Sequence, residues 1–352
     1  MRMHQAVKMW ARQSKVPLSN FLVEIMKAIG VDSQEGAGQL QLLDLPVPTP
    51  ASHEVLLKVS AAGVNRPDVL QRRGLYPPPP NSNPRLGLEV AGLVVGVGSA
   101  VSAVMLNQPV MALCNGGGYA EYVCVPAAQC MKIPHGLSLS VAATLPEVYM
   151  TVWQNLVWKA KLDVGHTVLV HGGSSGIGTA AIQLCKRRGA HVLVTVSTPE
   201  KAAYCLSLGA DAAYLYPNED WVQKTLQFTA GRGADVVLDM VAGEYLNQGL
   251  ACLAPKGMLI VIALQGGRFS SIDASKLLLK QAVLTGTTLR AQSEELKAQL
   301  AREVEADLLE GFECGQYRSC LEAQFALKDV AQAHALMESG RSKGKIVLNV
   351  SV

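Results

Sequence analysis

Aromatic residues make up only 5% of the chain and charged residues only 17%. Neither sign of charge dominates: 31 Lys and Arg stand against 28 Asp and Glu, a formal net charge of +3. A basic patch interleaved with aromatics, the footprint of nucleic-acid binding, is therefore missing, and a nucleic-acid partner is not expected. No C-x-x-C pair occurs among the eight cysteines, Cys114, Cys124, Cys130, Cys185, Cys205, Cys252, Cys314 and Cys320. Zinc-finger and redox-pair frameworks are excluded, and free thiols in a reducing cytoplasm are expected. No unbroken apolar run reaches bilayer length. The nearest, Val90 to Leu106, is interrupted by Gly92, Gly96, Gly98, Ser99 and Ser102 and ends at Asn107-Gln108-Pro109. It reads as strand and turn, so no membrane span is expected.

What is present is apolar bulk: 49% of 352 residues, with 32 glycines. That length predicts roughly two domains of about 150 residues, and the composition excludes global disorder. The first 25 residues hold Arg2, Lys8, Arg12 and Lys15 against one acid, Glu24. They are expected to form a flexible extension. A mitochondrial presequence is the weaker alternative to a cytoplasmic location, because the stretch lacks Arg and Ser richness.

From Met26 onward short apolar runs alternate with turn residues. Glu54 to Val59, Val90 to Val97, Pro109 to Leu113 and Tyr119 to Val125 read as strands, separated by Pro77 to Pro80 and Gly116 to Gly118. That spacing predicts a small β-rich domain. Near residue 140 the period becomes helical, over Ser140 to Pro146 and Tyr149 to Lys159. Strand and helix then alternate: strand Thr167 to Val170, helix Thr179 to Arg188, strand His191 to Val196, helix Pro199 to Leu208. Further strands are expected at Asp235 to Asp239, Met258 to Ala263 and Val283 to Leu289. Such alternation predicts a doubly wound α/β domain with a parallel sheet covered on both faces. The tail adds amphipathic helices at Ser293 to Leu309 and Leu327 to Met337, and a closing strand at Lys345 to Val350.

The strongest chemical signal is Val168-Leu169-Val170-His171-Gly172-Gly173-Ser174-Ser175-Gly176-Ile177-Gly178-Thr179. A strand runs into a small-residue turn and then into a helix. Glycines let the backbone approach a pyrophosphate, and the helix N-terminus offers free N–H groups and partial positive charge. With a second strand following, this is the context of a dinucleotide fingerprint. The second strand then chooses the dinucleotide. An NAD site carries an acid there for the ribose 2′-OH. This chain has Thr195-Val196-Ser197-Thr198, with Lys201 one turn later. Hydroxyls and a cation suit a 2′-phosphate, so NADPH is the expected cofactor. Glu200 counts against it, and Lys201 alone would read as a solvated helix lysine.

These stretches resemble a known family. Gly63-Val64-Asn65-Arg66-Pro67-Asp68, Gln71-Arg72-Arg73-Gly74-Leu75-Tyr76-Pro77, Gly87-Leu88-Glu89-Val90-Ala91-Gly92, Pro146-Glu147-Val148-Tyr149-Met150-Thr151, the cofactor loop and Gly344-Lys345-Ile346-Val347-Leu348 are similar to the zinc-free medium-chain dehydrogenase/reductases. The resembling branch is the quinone oxidoreductases of the p53-inducible and ζ-crystallin types, over about residues 26 to 350. The resemblance implies a GroES-like β-rich catalytic domain of residues 26–150 plus 290–352, with a Rossmann domain of residues 151–289 inserted. The cofactor would lie in the cleft between them.

The resemblance also carries residue roles. Zinc members place Cys where this chain has Asn65, His where it has Leu88, and Cys or an acid where it has Glu147, so no metal is expected. Asn65 and Tyr76 match pocket positions and would hydrogen-bond the developing oxyanion. The alternatives are a turn-capping amide for Asn65 and a surface ring on the proline run for Tyr76. Ser175, Gly176, Ile177, Gly178 and Thr179 would hold the pyrophosphate, Ser197 and Lys201 the 2′-phosphate, and Tyr216 would stack near the adenosine. Thr151, Ala242, Gly243, Leu264 and Gln265 would face the nicotinamide half. Arg290 is a further cofactor candidate, with an edge-strand surface charge as its alternative. The implied activity is NADPH-dependent reduction of a quinone. NADPH-dependent reduction of 2-alkenals or enones, and NADPH binding without catalysis in an RNA-binding or structural protein, remain as alternatives. A homodimer through the edge strand of the Rossmann sheet is expected.

Overall fold

The long strand of the first segment shows why the sheet forms. Val55, Leu57 and Val59 alternate inward and are fully buried, and Ala61, Ala62 and Val64 follow them into the core. Each fully buried Val or Leu contributes about 1.5–3 kcal/mol. A computed structural model of the chain describes residues 24–32, 38–80 and 82–350. The expected extension at 1–25 lies mostly outside the described residues, and Ile25 already belongs to the first strand.

The first segment carries β1 (Ile25–Asp32) and β2 (Gln39–Pro46), an antiparallel pair, then β3 (Glu54–Val64), α1 (Arg66–Arg72), β4 (Glu89–Val97), β5 (Pro109–Leu113), β6 (Tyr122–Pro126) and β7 (Cys130–Lys132). After the short α2 (Leu139–Ala142) comes α3 (Pro146–Val152), prolonged by a wide π-helical turn over Trp153–Lys159. Then follow β8 (Thr167–His171), α4 (Gly176–Arg187), β9 (His191–Val196), α5 (Pro199–Ser207), β10 (Ala212–Leu215), α6 (Trp221–Phe228), β11 (Ala234–Asp239), α7 (Tyr245–Cys252), β12 (Leu253–Val261), α8 (Ala274–Lys280) and β13 (Val283–Gly286). The tail is α9 (Glu294–Glu313), β14 (Leu321–Ala326), α10 (Val330–Glu338) and β15 (Lys345–Asn349).

Two sheets divide the work. One has the order β14-β15-β3-β4-β5-β7, with β6 also on β3. Its β15 runs antiparallel to β3, Leu348 opposite Ala62, so the chain's tail completes the sheet of the first segment. The other has the order β10-β9-β8-β11-β12-β13, all parallel. Strand order reverses between β8 and β11, and that reversal opens the crevice where a dinucleotide binds in such sheets. Every residue of β8 is buried, as a strand covered on both faces requires. This is the expected α/β architecture of a GroES-like domain with a Rossmann domain.

Helix α9 lies at the join. Trp153 and Trp158 both donate their indole N–H to Glu303 Oε2, at 2.9 and 2.6 Å, and the Lys132 amide donates to Glu305 at 2.6 Å. Three elements carry weak sequence signals. Helix α1 is only seven residues and contains Pro67; β10 is four residues at a sheet edge; β14 interleaves Glu322 and Gln324 among its apolar residues. The run expected as a strand to Leu289 stops at Gly286. No helix among the described residues is long and apolar enough to cross a membrane.

Candidate active site

The glycine-rich turn is built by close packing. Ser175 caps α4, its hydroxyl accepting from the Gly178 amide at 3.0 Å, and Thr179 Oγ1 donates to the Gly176 carbonyl at 3.0 Å. The amides of Gly172 and Gly173 both donate to the Thr195 carbonyl at 3.1 Å, tying the turn to β9. A Cβ on Gly178 would fall 2.3 Å from the Gly173 carbonyl oxygen, so only glycine fits there. The Ile177 N–H at the open end of the helix finds no acceptor among the described residues. That donor, the glycine cradle and the position at the sheet's switch point fit a pyrophosphate.

The tail strand is docked on this cradle. The Gly344 amide donates to the Ser174 carbonyl at 2.7 Å, and a Cβ on Gly176 would lie 2.5 Å from Lys345 Cδ. At the end of β9, Ser197 is partly exposed, and Lys201 on α5 donates from Nζ to the Gly340 carbonyl at 2.5 Å. Lys201 is thus anchored by one of its three N–H donors to a loop of the tail segment. Tyr216 follows β10, 45% exposed, with its amide on the Val196 carbonyl.

Two loops at the ends of β11 and β12 are brought together. Asp239 Oδ1 accepts from the amides of Val241 and Ala242 at 2.6 and 3.0 Å, which holds Ala242 at φ 59°. A non-glycine residue there is uncommon, and such strain clusters at ligand sites. The Gln265 and Gly266 amides reach back to the Met240 and Val241 carbonyls, placing Leu264 and Gln265 beside Ala242 and Gly243. Thr151, on α3, is fixed by Asn155, whose amide donates to its carbonyl at 2.8 Å.

The first-domain side is a charged cluster inside the protein. Asn65 stands at the N-cap of α1, its own amide donating to Asp68 Oδ2 at 2.9 Å. Its side chain is enclosed: Oδ1 accepts from Lys345 Nζ at 2.6 Å, and Nδ2 donates to Glu89 Oε1 at 2.8 Å. Lys345 Nζ also donates to Glu89 Oε1 at 2.6 Å, and Glu89 Oε2 accepts the Glu147 amide at 2.9 Å. Asp68 is fully buried, and burial pushes its carboxyl up to about 6 against the amides of Gly87 and Asn65, which lower it. Glu147 is partly buried, and its carboxyl has no hydrogen-bond partner among the described residues. Burial first, and the Glu89 carboxylate second, push it up to about 8.

Tyr76 and Arg290 close this side. The Tyr76 hydroxyl has no partner among the described residues, and the Arg290 guanidinium sits 5.9 Å from its ring centroid. Burial raises the Tyr76 phenol and lowers Arg290. Arg290 Nη1 donates to Gln71 Oε1 at 2.6 Å, while Nε and Nη2 are buried without acceptors. Lys297 supports it from α9, donating to the Arg290 carbonyl at 2.7 Å and to Asn115 at 2.6 Å.

Leu88 and Asn65 cannot bind a metal through a charged or imidazole donor. Among the described residues no group of three His, Cys, Asp or Glu side chains could hold a metal ion. Glu89, Lys345, Asp68 and Lys297 belong to the site, although no motif in the sequence assigns them a role. Their signal was available: Glu89 and Lys345 are charges set into apolar strands, and a buried charge must be paired.

Comparison with known proteins agrees with this geometry. Residues 51–135 match the family described as alcohol dehydrogenase GroES-like domain, and residues 176–306 the family described as zinc-binding dehydrogenase. A quinone oxidoreductase of Lama guanicoe is 33% identical over 92% of this chain and 97% of its own length. The chain belongs to the medium-chain dehydrogenase/reductase family, in its quinone oxidoreductase branch. An Escherichia coli quinone oxidoreductase complexed with NADPH superposes with a TM-score of 0.83 at 27% identity, covering 92% of this chain and all of the other. The enoyl reductase CurK superposes at 0.82 with 27% identity, covering 93% and 100%.

Proposed function

We propose that this family member is an NADPH-dependent reductase whose acceptor is a quinone. The observation that carries the reading is the Asn65–Glu89–Lys345 network. It occupies the region where zinc relatives hold a catalytic metal, and it is closed by an ammonium instead of opened for a Lewis acid. In those relatives the metal acts as the Lewis acid on the substrate oxygen. A quinone takes hydride without one, because the product ring is aromatic.

NADPH supplies the hydride when bound. Ser175, Gly176, Ile177, Gly178 and Thr179 hold its pyrophosphate, Ser197 and Lys201 its 2′-phosphate, and Tyr216 lies beside its adenosine. Thr151, Ala242, Gly243, Leu264 and Gln265 position its nicotinamide half. The protein's own contribution is orientation and exclusion of water. The superposition on an enoyl reductase favours an enone as the second reading.

The test is NADPH oxidation measured with 1,2-naphthoquinone, 2-alkenals and simple aldehydes, with and without EDTA. Quinone turnover unaffected by the chelator is expected. Turnover confined to 2-alkenals would transfer the reading to the enone class, and chelator-sensitive turnover would overturn the metal-free reading.

A further inference from the structure

Reducing a quinone to a hydroquinone consumes a hydride and one proton. The hydride leaves negative charge on an acceptor oxygen, and the proton must come from water or from a group in the cleft. Three polar groups without a hydrogen-bond partner among the described residues border the cleft: the Glu147 carboxyl, whose own amide is held by Glu89 Oε2 at 2.9 Å, the Tyr76 hydroxyl, and the buried Nε–Nη2 edge of Arg290, whose guanidinium lies 5.9 Å from the Tyr76 ring. They come from three separate segments. Glu147 stands in the first turn of α3, one residue before Val148, whose Cγ1 lies 3.2 Å from the place a Cβ on Gly176 would take. It is also one helical turn before Thr151, so both share a face.

We propose that Glu147 is the acid that protonates the reduced acceptor. The proposal rests on the quinone-reductase reading above. In the step, the O–H bond of the neutral Glu147 carboxyl breaks and a new O–H bond forms on the acceptor's anionic oxygen, giving the hydroquinone. Glu147 is left as carboxylate and takes its next proton from water at the partly exposed edge of the cleft. The stoichiometry is one NADPH, one quinone and one proton consumed.

The surroundings suit this cycle. Glu89 on β4 and Asp68 on α1 disfavour the carboxylate, as burial does; Lys345 on β15 and Lys297 on α9 favour it. A charged Glu147 would in turn raise the Tyr76 phenol and the Arg290 guanidinium, so the three groups are electrostatically linked. The balance holds Glu147 protonated through neutral pH, to about 8. An acid whose pKa lies near the working pH is the efficient donor. The mechanism otherwise has no use for an unpaired carboxyl beside Arg290.

The experiment combines kinetics with a titration that needs no turnover. The Glu147 carboxyl is followed by ¹³C NMR in wild type against Glu147→Gln, and kcat/KM for 1,2-naphthoquinone is measured from pH 6 to 10. A Glu147 signal titrating at about 8, well above an ordinary glutamate, is expected. Wild-type kcat/KM should fall as pH rises through that midpoint. Glu147→Gln should be about 100-fold slower at pH 7, the low end for a general acid, and lose the fall, while its NADPH dissociation constant stays within twofold. Glu147→Asp should restore part of the rate and a pH-dependent fall. A Glu147→Gln enzyme with the wild-type rate and profile would overturn the assignment, as would an ordinary glutamate titration. A wild type inert towards quinone at every pH would overturn the quinone reading and this role with it.

Discussion

Lys345 Nζ lies 2.6 Å from Glu89 Oε1, although the two residues are 256 positions apart and their side chains are only 5% and 0% exposed. The pair joins the last strand of the chain to β4, and Asn65 completes it. Breaking such a pair leaves a buried charge without its counter-charge, which costs about 3–5 kcal/mol. Lys345→Ala should lose that much stability in urea unfolding. Lys345→Met with Glu89→Gln should lose clearly less than the sum of the two single changes. Loss of under about 1 kcal/mol for Lys345→Ala would show that water or another cation replaces the ammonium.

This pair also marks what could be read from sequence. The Rossmann half was legible, because its strands are continuous apolar runs and its glycine turn has few other uses. The tail's return to the first sheet was legible only through the family resemblance, because antiparallel pairing of β15 with β3 is a contact between distant segments that no local period encodes. No local period encodes the charge cluster either. Glu89 and Lys345 are charges in apolar strands, but only the fold sets them 2.6 Å apart. Elements without a period were missed: β10 is four residues long, and α1 is only seven, with Pro67 in its first turn.

Lys201 offers a test of cofactor choice. Its ammonium is held by the Gly340 carbonyl at 2.5 Å, next to the end of β9, so the 2′-phosphate would meet a positioned cation. A charge-assisted hydrogen bond contributes about 1.5–3 kcal/mol. Lys201→Ala should therefore weaken NADPH binding by roughly 10–150-fold in a fluorescence titration. NADH binding should change little. Equal weakening of both would mean that the residue acts only by anchoring the loop at Gly340.

The edge of the Rossmann sheet predicts assembly. Strand β13 is the outermost strand, and Val283 on it is 43% exposed. Leu278 and Leu279 on α8 are 76% and 80% exposed, and Phe269 is 79% exposed. An apolar edge beside bare leucines tends to pair. Light scattering at micromolar concentration should give twice the 37.4 kDa mass of the chain. Val283→Lys with Leu279→Glu should give the single-chain mass with an intact circular dichroism spectrum. A monomeric wild type would refute the pairing.

Asn65 and Tyr76 should respond differently to truncation, because the fold has used one and left the other open. Both match family positions for holding the developing oxyanion. The Asn65 side chain is committed to Lys345 and Glu89, with one amide hydrogen to spare. The Tyr76 hydroxyl has no partner and stands beside Arg290, whose Nε and Nη2 are also unpaired. Asn65→Ala removes an acceptor from a buried ammonium, and an unsatisfied buried polar group costs about 1–3 kcal/mol. Its main effect should be a lower melting temperature. Tyr76→Phe removes no contact within the protein, so its melting temperature should stay within about a degree. Its kcat/KM for 1,2-naphthoquinone should fall about 10-fold, below the roughly 100- to 1000-fold seen for a full oxyanion donor, because quinones are intrinsically reactive. NADPH affinity should be unchanged, since neither side chain is needed to hold the pyrophosphate. If Tyr76→Phe turns over quinone at the wild-type rate, the phenol takes no part in stabilising charge on the acceptor. Orientation in the cleft, with Arg290 and Glu147, would then account for the chemistry.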